Sequence, residues 1–472
     1  MPFNHPSFSQ QRRQFLKYGL LASASLALAS SCHSESQSEE SATPTTTTQA
    51  ESPSQVIVIG AGIAGLAAAQ QLKADGFEAI VLEARDRVGG RIWTDRSLGV
   101  PIDMGASWIH GPEDNPITPL AAKARARTFV TQDANEAVYD VSGRLIPKSV
   151  VSQSEEHYNA LLKQIAELTD AEDQDISIAE AIRRIDAAEL QDLLIQYQLA
   201  AYMEFETGGP IEKLSARSWA DDRSFAGEDV LFPNGYDAVI NLLAKGLTIK
   251  LGQVVTQIAP TNAGVTVTTN QGSFTGQCAV VTLPLGVLKQ KRVTFNPGLP
   301  APMMAAIDRI EMGTVNKVAL RFPKAFWETE VQFFGFTSQT KGKYPYFLNA
   351  HTFTAANALV TFGLGNYGLA MESQSNQQIE ADVLETLKTM FGKVEQPEAV
   401  LVSRWTADPF TGGSYSYPGV GATPEDFAAL AEPIADRLFF AGEHTIHQYR
   451  ASVHGAYLTG IREARHIKDL YG

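Results

Sequence analysis

The chain has 472 residues, room for two or three domains at about 150 residues each. Hydrophobic residues at 44% and charged residues at 19% exclude a largely disordered chain, and a net charge of −14 excludes a basic nucleic-acid binder. Two cysteines, Cys32 and Cys278, are too few for a disulfide scaffold or a cysteine-based zinc cluster, and no metal site is expected.

Residues 1–31 read as an address. Arg12, Arg13 and Lys17 precede an apolar run from Tyr18 to Ser31. That run is shorter than the roughly 20 residues a spanning helix needs. The order of charged region, apolar region and polar exit resembles a twin-arginine signal peptide. Cys32 follows Leu28-Ala29-Ser30-Ser31, which resembles a lipoprotein cleavage site with Ala29 where leucine is usual. Cleavage by an ordinary signal peptidase nearby is the alternative. The expected consequence is export by the twin-arginine machinery to the periplasm, either free or tethered to the membrane through a lipidated Cys32. Residues 32–54 are rich in Ser, Thr and Glu and predict a flexible linker. Cys278 precedes Ala279-Val280-Val281 and reads as a buried, inert core thiol.

The folded part opens on Val56-Ile57-Val58-Ile59, a β-branched run suited to a buried parallel strand. Gly60-Ala61-Gly62-Ile63-Ala64-Gly65 follows at once, then a helix over Leu66–Ala74 ended by Gly76. Ala79–Leu82 is the second strand, closed by Glu83. In this setting Gly60 allows a tight turn, Gly62 admits a pyrophosphate and Gly65 lets helix and strand pack closely. The helix N-terminus supplies amide donors, and Glu83 is placed to accept from a ribose hydroxyl. An adenine dinucleotide follows; the motif alone does not separate NAD from FAD.

The later motifs separate them by resemblance. Arg85-Asp86-Arg87-Val88-Gly89-Gly90-Arg91 and Asp103-Met104-Gly105-Ala106-Ser107-Trp108-Ile109-His110-Gly111 resemble the flavin loops of the FAD-dependent amine oxidase family. So do Gly252–Ile258, Val281–Leu288, Arg404-Trp405, Gly412-Gly413-Ser414-Tyr415, Phe439–Thr445 and Val453–Tyr457, in family order from about Ser54 to Ile467. The resemblance implies FAD contacts at Gly60, Gly62, Ala64, Gly65, Glu83, Ala84, Arg85, Gly89, Gly90, Arg91, Gly105, Ala106, Ser107, Trp108, Val255, Trp405, Gly442, Glu443 and Val453. It also implies an α/β architecture of two domains. A doubly wound, Rossmann-like FAD-binding domain is expected from 55–125, 226–300 and 434–472. An α+β substrate domain, a mixed sheet with helices on one side, is expected from 126–225 and 301–433. The active site is expected between them, with 153–222 supplying helices to the substrate domain.

Residues 313–322 alternate as a strand, with Val318, Leu320 and Phe322 on one face. Lys317 shares the other face with Val315, Ala319 and Arg321, and alternation alone reads it as a solvent-facing lysine. The resemblance makes Lys317 catalytic, holding a water at flavin N5 and stabilising charge as the flavin accepts hydride from a carbon beside an amine nitrogen. The imine then hydrolyses to an aldehyde and a smaller amine, and O₂ becomes H₂O₂. Ser414 stands where monoamine oxidases carry a flavin-linked cysteine, so noncovalent FAD is expected. Tyr415 resembles one wall of an aromatic cage; the second cage position is Ser452, which implies a wider site. The 105–111 loop lacks the arginine expected for an amino-acid carboxylate, while His110 is similar to the residue of polyamine and spermine oxidases. Glu206, close to Glu204, is the candidate tunnel carboxylate. A polyamine oxidase leads. An oxidase of another amine or an L-amino acid, and a noncatalytic flavoprotein partner module, are the alternatives.

Overall fold

A computed structural model describes residues 55–472. The export signal over 1–31, Cys32 and the linker to residue 54 lie outside the described residues. No helix among the described residues is long and apolar enough to cross a membrane.

Two sheets organise the chain. The first is parallel and five-stranded, in the order Leu438–Phe440, Cys278–Val281, Gln55–Ile59, Glu78–Leu82, Thr248–Lys250. Its strands are short and apolar because both faces are covered. On one face Val56 and Val58 pack with Leu66 and Leu72 of helix Ile63–Ala74, Ile240 of helix Asp237–Ala244 and Ile467 of helix Val453–Tyr471. On the other, Ile57 and Ile59 meet Ile258, Val265 and Val267 of a four-stranded sheet and Ile307 of helix Ala301–Arg309. Each leucine or isoleucine buried here contributes about 1.5–3 kcal/mol. Cys278 lies in this core at 0% exposure, and burial pushes its thiol up to about 12, so it stays protonated and inert.

The glycine-rich turn behaves as its spacing demands, with one shift. The helix begins at Ile63 rather than Leu66, so Gly65 falls inside its first turn. It ends at Ala74, and Gly76 takes the positive φ that reverses the chain.

The second sheet has six strands, in the order Ala399–Val402, Val315–Arg321, Ala358–Leu364, Lys343–Asn349, Phe333–Phe336, Glu136–Tyr139. All its pairs are antiparallel except the last, which is parallel. Helices cover both faces, not one as the sequence suggested. Val315, Ala319, Tyr346 and Phe362 face Leu161 and Ile165 of helix Lys148–Ala171 and Ile182 of helix Ile178–Asp186. Val318, Leu320, Phe334 and Phe347 face Ile379, Val383 and Leu387 of helix Asn376–Phe391. The reason is visible in Val315–Arg321, which is buried on both sides from Val315 to Leu320 and carries a partner strand on each edge. Lys317 is therefore 6% exposed, against the solvent-facing position that alternation predicts. A π-helical turn, Leu199–Glu204, leads into the short helix Phe205–Thr207 beside this sheet.

Candidate active site

A cavity of about 740 Å³ runs between the two sheets and is lined from both. Helices Ile63–Ala74 and Val453–Tyr471 both start on its wall, aiming two positive dipole ends into it. Gly62 caps the first helix. A Cβ built there meets nothing within 4 Å, so the space above its backbone is open to a ligand. Gly65 is the one expected contact that is not on the wall. A Cβ there would sit 2.0 Å from the Gly60 carbonyl oxygen, so its role is to let helix and turn touch.

Gly60, Ala64, Glu83, Ala84, Arg85, Gly89, Gly90, Arg91 and Val255 surround the same half of the cavity. Glu83 is buried; its Oε2 accepts from Ala61 N at 2.7 Å and its Oε1 from Arg85 N at 2.9 Å. Those bonds stiffen the end of the second strand with the carboxylate on the wall. Arg85 pairs with Asp408 at 2.7 Å and lies over the Phe410 ring. Gly89 N donates to Ala61 O at 2.8 Å, joining the two glycine loops.

Arg91 donates to Glu443 Oε1 at 2.8 Å and to Ser414 O at 2.9 Å, tying together three distant segments. Glu443 Oε2 accepts from Ser416 Oγ at 2.6 Å and Ala451 N at 3.1 Å. Burial pushes the Glu443 carboxyl up, but Arg91, His444 and the Ser416 hydroxyl outweigh it and hold it below the usual range. Gly442 and Val453 complete this wall.

In the middle, Lys317 Nζ donates to Asp103 O at 2.8 Å, Gly105 O at 2.7 Å and Ser107 Oγ. The ammonium lies over the Trp108 and Phe362 rings. Burial lowers the Lys317 pKa, and the Asp103 carboxyl opposes that shift. Burial raises Asp103 in turn, against hydrogen bonds from Thr94 and Tyr236 N. Gly105, Ala106 and Trp405 are on the adjoining wall, and Trp405 Nε1 donates to Met104 O at 3.3 Å. Arg404 turns away, donating to Gln374 O and Asn376. Ser414 Oγ accepts from Val315 N at 2.6 Å and donates to Val315 O at 3.1 Å.

The remaining wall is aromatic and acidic. Tyr415 donates its hydroxyl to Phe205 O, fixing its ring beside Glu206. Glu206 lines the cavity; Glu204 is fully buried behind it, paired with Lys341. His110 Nδ1 lies 2.7 Å from Asp229 Oδ2. Ser452 is on the wall too, with its hydroxyl engaged in capping: it accepts from Gly455 N at 3.0 Å and donates to Tyr449 O at 2.7 Å.

Sequence reasoning missed Asp103, Glu136 and Asp229. Glu136 faces the cavity with Tyr197, Phe333 and Tyr346, and burial, with Glu155 adding to it, raises its carboxyl to about 8. No lysine or arginine among the described residues forms an ion pair with Glu136. The alternation of Glu136-Ala137-Val138-Tyr139 signals a strand, but nothing local shows which way Glu136 points. Among the described residues no cluster of His, Cys, Asp and Glu is placed to hold a metal ion.

Comparison with known proteins agrees with this geometry. Residues 63–468 match the family described as flavin containing amine oxidoreductase. Polyamine oxidase 4 of Oryza sativa subsp. japonica is 36% identical over 431 residues, covering 87% of this chain and 88% of that protein. Polyamine oxidase 2 of Arabidopsis thaliana is 37% identical over 428 residues, covering 87% of each. Lysine-specific histone demethylase 1 homolog 2 of Arabidopsis thaliana is 35% identical over 87% of this chain but 58% of its own length.

Proposed function

The chain belongs to the flavin containing amine oxidoreductase family and is an FAD-dependent amine oxidase, and on that premise we propose that its substrates are polyamines such as spermine and spermidine. The observation that carries the reading is the composition of the substrate-side wall. Glu206 and Glu136 line the cavity together with Phe205, Tyr197, Phe333 and Tyr346. Carboxyl groups set among aromatic rings suit ammonium groups carried on methylene chains. A carboxylate-bearing amino acid finds no arginine in the 105–111 loop.

The open space at Gly62, the two helix N-termini and the buried Glu83 fit the dinucleotide, and Arg91 with Glu443 fits its middle. FAD held there would supply the acceptor for a hydride from the carbon beside the amine nitrogen and the route by which those electrons reach O₂. We propose that it is held noncovalently, because the Ser414 hydroxyl is committed to the Val315 backbone. Lys317 orients the 103–107 loop. Its three protons are already taken by Asp103 O, Gly105 O and Ser107 Oγ. A water held by Lys317 therefore shares the Ser107 bond or accompanies loss of a proton, which burial favours. Tyr415 and Phe205 shape the channel, and Glu206 attracts a distal ammonium.

The test is FAD-loaded protein offered spermine, spermidine, putrescine, a monoamine and an L-amino acid, with H₂O₂ and aldehyde measured. Release from polyamines is expected; release from the amino acid alone would overturn the substrate reading. We propose further that residues 1–31 direct twin-arginine export, leaving the chain free in the periplasm or tethered to the membrane through a lipidated Cys32. Replacing Arg12 and Arg13 with lysine should trap the protein inside cells; unaltered export would refute this.

A further inference from the structure

We propose that Asn316 is a positioning residue for the oxidation: from behind the cavity its carboxamide holds the backbone of Trp405 in register with Lys317, and the Glu372 carboxylate fixes the way that carboxamide faces. The inference rests on the reading of Lys317 and Trp405 as flavin-side residues, given above. Along strand Val315–Arg321, Val315 and Lys317 line the cavity, and Asn316 between them points to the opposite face, where it is 0% exposed. The neighbouring strand Ala399–Val402 pairs with this one only as far as Val318 with Val402. Beyond that pair, side chains take over from the ladder. Ser403 N still donates to Lys317 O at 3.0 Å, but Lys317 N donates to Ser403 Oγ at 2.7 Å and Trp405 N to Asn316 Oδ1 at 2.9 Å. The chain thus leaves the sheet on Asn316 and carries Trp405 round to the cavity wall.

Donor and acceptor counts fix the carboxamide. Its Nδ2 donates to Gly368 O at 3.1 Å and Glu372 Oε1 at 2.7 Å, a carbonyl and a carboxylate that only accept. Oδ1 is therefore the atom that faces Trp405 N, and it also accepts from Ser403 Oγ at 3.4 Å. Glu372 is held in turn by the two residues after Trp405: Oε1 accepts from Thr406 N at 2.9 Å and Oε2 from Ala407 N at 2.6 Å. At their tips Lys317 and Trp405 meet on one loop. Lys317 Nζ donates to Asp103 O and Gly105 O, and Trp405 Nε1 to Met104 O between them. Asn316 joins the two backbones and the 103–105 loop joins the two tips, so the pair is held at both ends. Removing the carboxamide opens this ring of contacts at the backbone end. A displacement of about 1 Å at a reacting site costs on the order of a hundredfold in rate.

The experiment compares the FAD-loaded chain with its Asn316→Ala and Asn316→Asp variants and with Asn316→Asp combined with Glu372→Gln. Nitrogen-15 NMR of protein labelled at its five tryptophans, with the Trp405 indole assigned by its loss in Trp405→Phe, reads the setting of that ring without any substrate. Anaerobic rapid mixing with spermine separates the limiting rate of flavin reduction from the apparent Kd. Asn316→Ala should displace the Trp405 signal and lower the limiting rate by roughly tenfold to a hundredfold, with the apparent Kd little changed. Asn316→Asp keeps an oxygen for Trp405 N but sets a second carboxylate against Glu372, so it should be slowed too. Glu372→Gln in that background should return part of the rate. A Trp405 signal that stays in place in Asn316→Ala, an unaltered limiting rate, a loss that falls on Kd alone, or no recovery on adding Glu372→Gln would overturn the inference. A merely structural Asn316 would lower the urea midpoint and leave the limiting rate as it was. Should Asn316→Ala misfold, the isosteric Asn316→Asp with and without Glu372→Gln decides. Flavin that spermine does not reduce, or a normal rate in Lys317→Met, would count against the function proposed above, while the Trp405 signal still judges the link from Asn316 to Trp405.

Discussion

Gly62 and Gly65 belong to one motif and should fail in opposite ways when given a side chain. At Gly65 a Cβ would lie 2.0 Å from Gly60 O and 3.1 Å from Gly60 C, backbone atoms that cannot swing aside. Gly65→Ala should therefore cost the apoprotein about 1–3 kcal/mol by overpacking, toward the upper end. At Gly62 the backbone has φ −74 and ψ 175, which alanine adopts freely, and a Cβ meets nothing within 4 Å. Gly62→Ala should leave the apoprotein as stable or raise it by roughly 0.4–1 kcal/mol, by restricting the unfolded chain. The added methyl instead occupies the space needed for phosphate to approach the helix N-terminus. Losing a contact worth up to about 2 kcal/mol weakens FAD binding roughly tenfold or more. Urea midpoints of deflavinated protein, paired with FAD titrations followed by flavin fluorescence, separate the two effects. Unaltered FAD affinity in Gly62→Ala, or an unaltered midpoint in Gly65→Ala, would refute the argument.

Arg91→Met strands the buried Glu443 carboxylate and should destabilise the protein by about 3–5 kcal/mol, measured by urea unfolding. Glu443 has a folded pKa below its unfolded value, so its contribution is present above the ordinary glutamate pKa and is lost as pH falls through the folded one. Glu443→Gln should remove that part of the acid sensitivity, read from midpoints between neutral and acid pH. Lys317→Met should keep FAD bound yet slow flavin reduction by on the order of a hundredfold in rapid mixing; a near-normal rate would remove Lys317 from the chemistry. Ser452→Ala should cost about 1 kcal/mol through the lost helix cap while leaving the KM for amine unchanged, because its hydroxyl is spent on Gly455 N and Tyr449 O.

What could be read in the sequence was what short spacing encodes. The strand, glycine turn, helix and Glu83 occupy consecutive residues, and their geometry follows from local sterics. Both strands begin one residue earlier than read, and the helix start moved further, from Leu66 to Ile63. Lys317 shows the limit of periodicity: alternation assigns a face but not what covers it. Helix Lys148–Ala171 and its neighbours cover that face, from a segment more than a hundred residues earlier. The same distance hid Asp229, which reaches His110 only through pairing of two-residue strands too short to carry a pattern. Ser452 was read as a cage position, yet its place one residue before helix Val453–Tyr471 is itself a capping signal. Glu204 and Glu206, two residues apart, part company because the π-helical turn buries the first against Lys341 and leaves the second on the cavity wall.

This cavity is expected to hold FAD and to oxidise a polyamine. The most direct measurement is the visible flavin spectrum of the purified protein, recorded without oxygen before and after adding spermine, spermidine, a monoamine and an L-amino acid. The flavin band should bleach with the polyamines, stay with the amino acid, and return when air is admitted. Bleaching by the amino acid but by no polyamine, or a protein that shows no flavin band even after reconstitution with FAD, would contradict it.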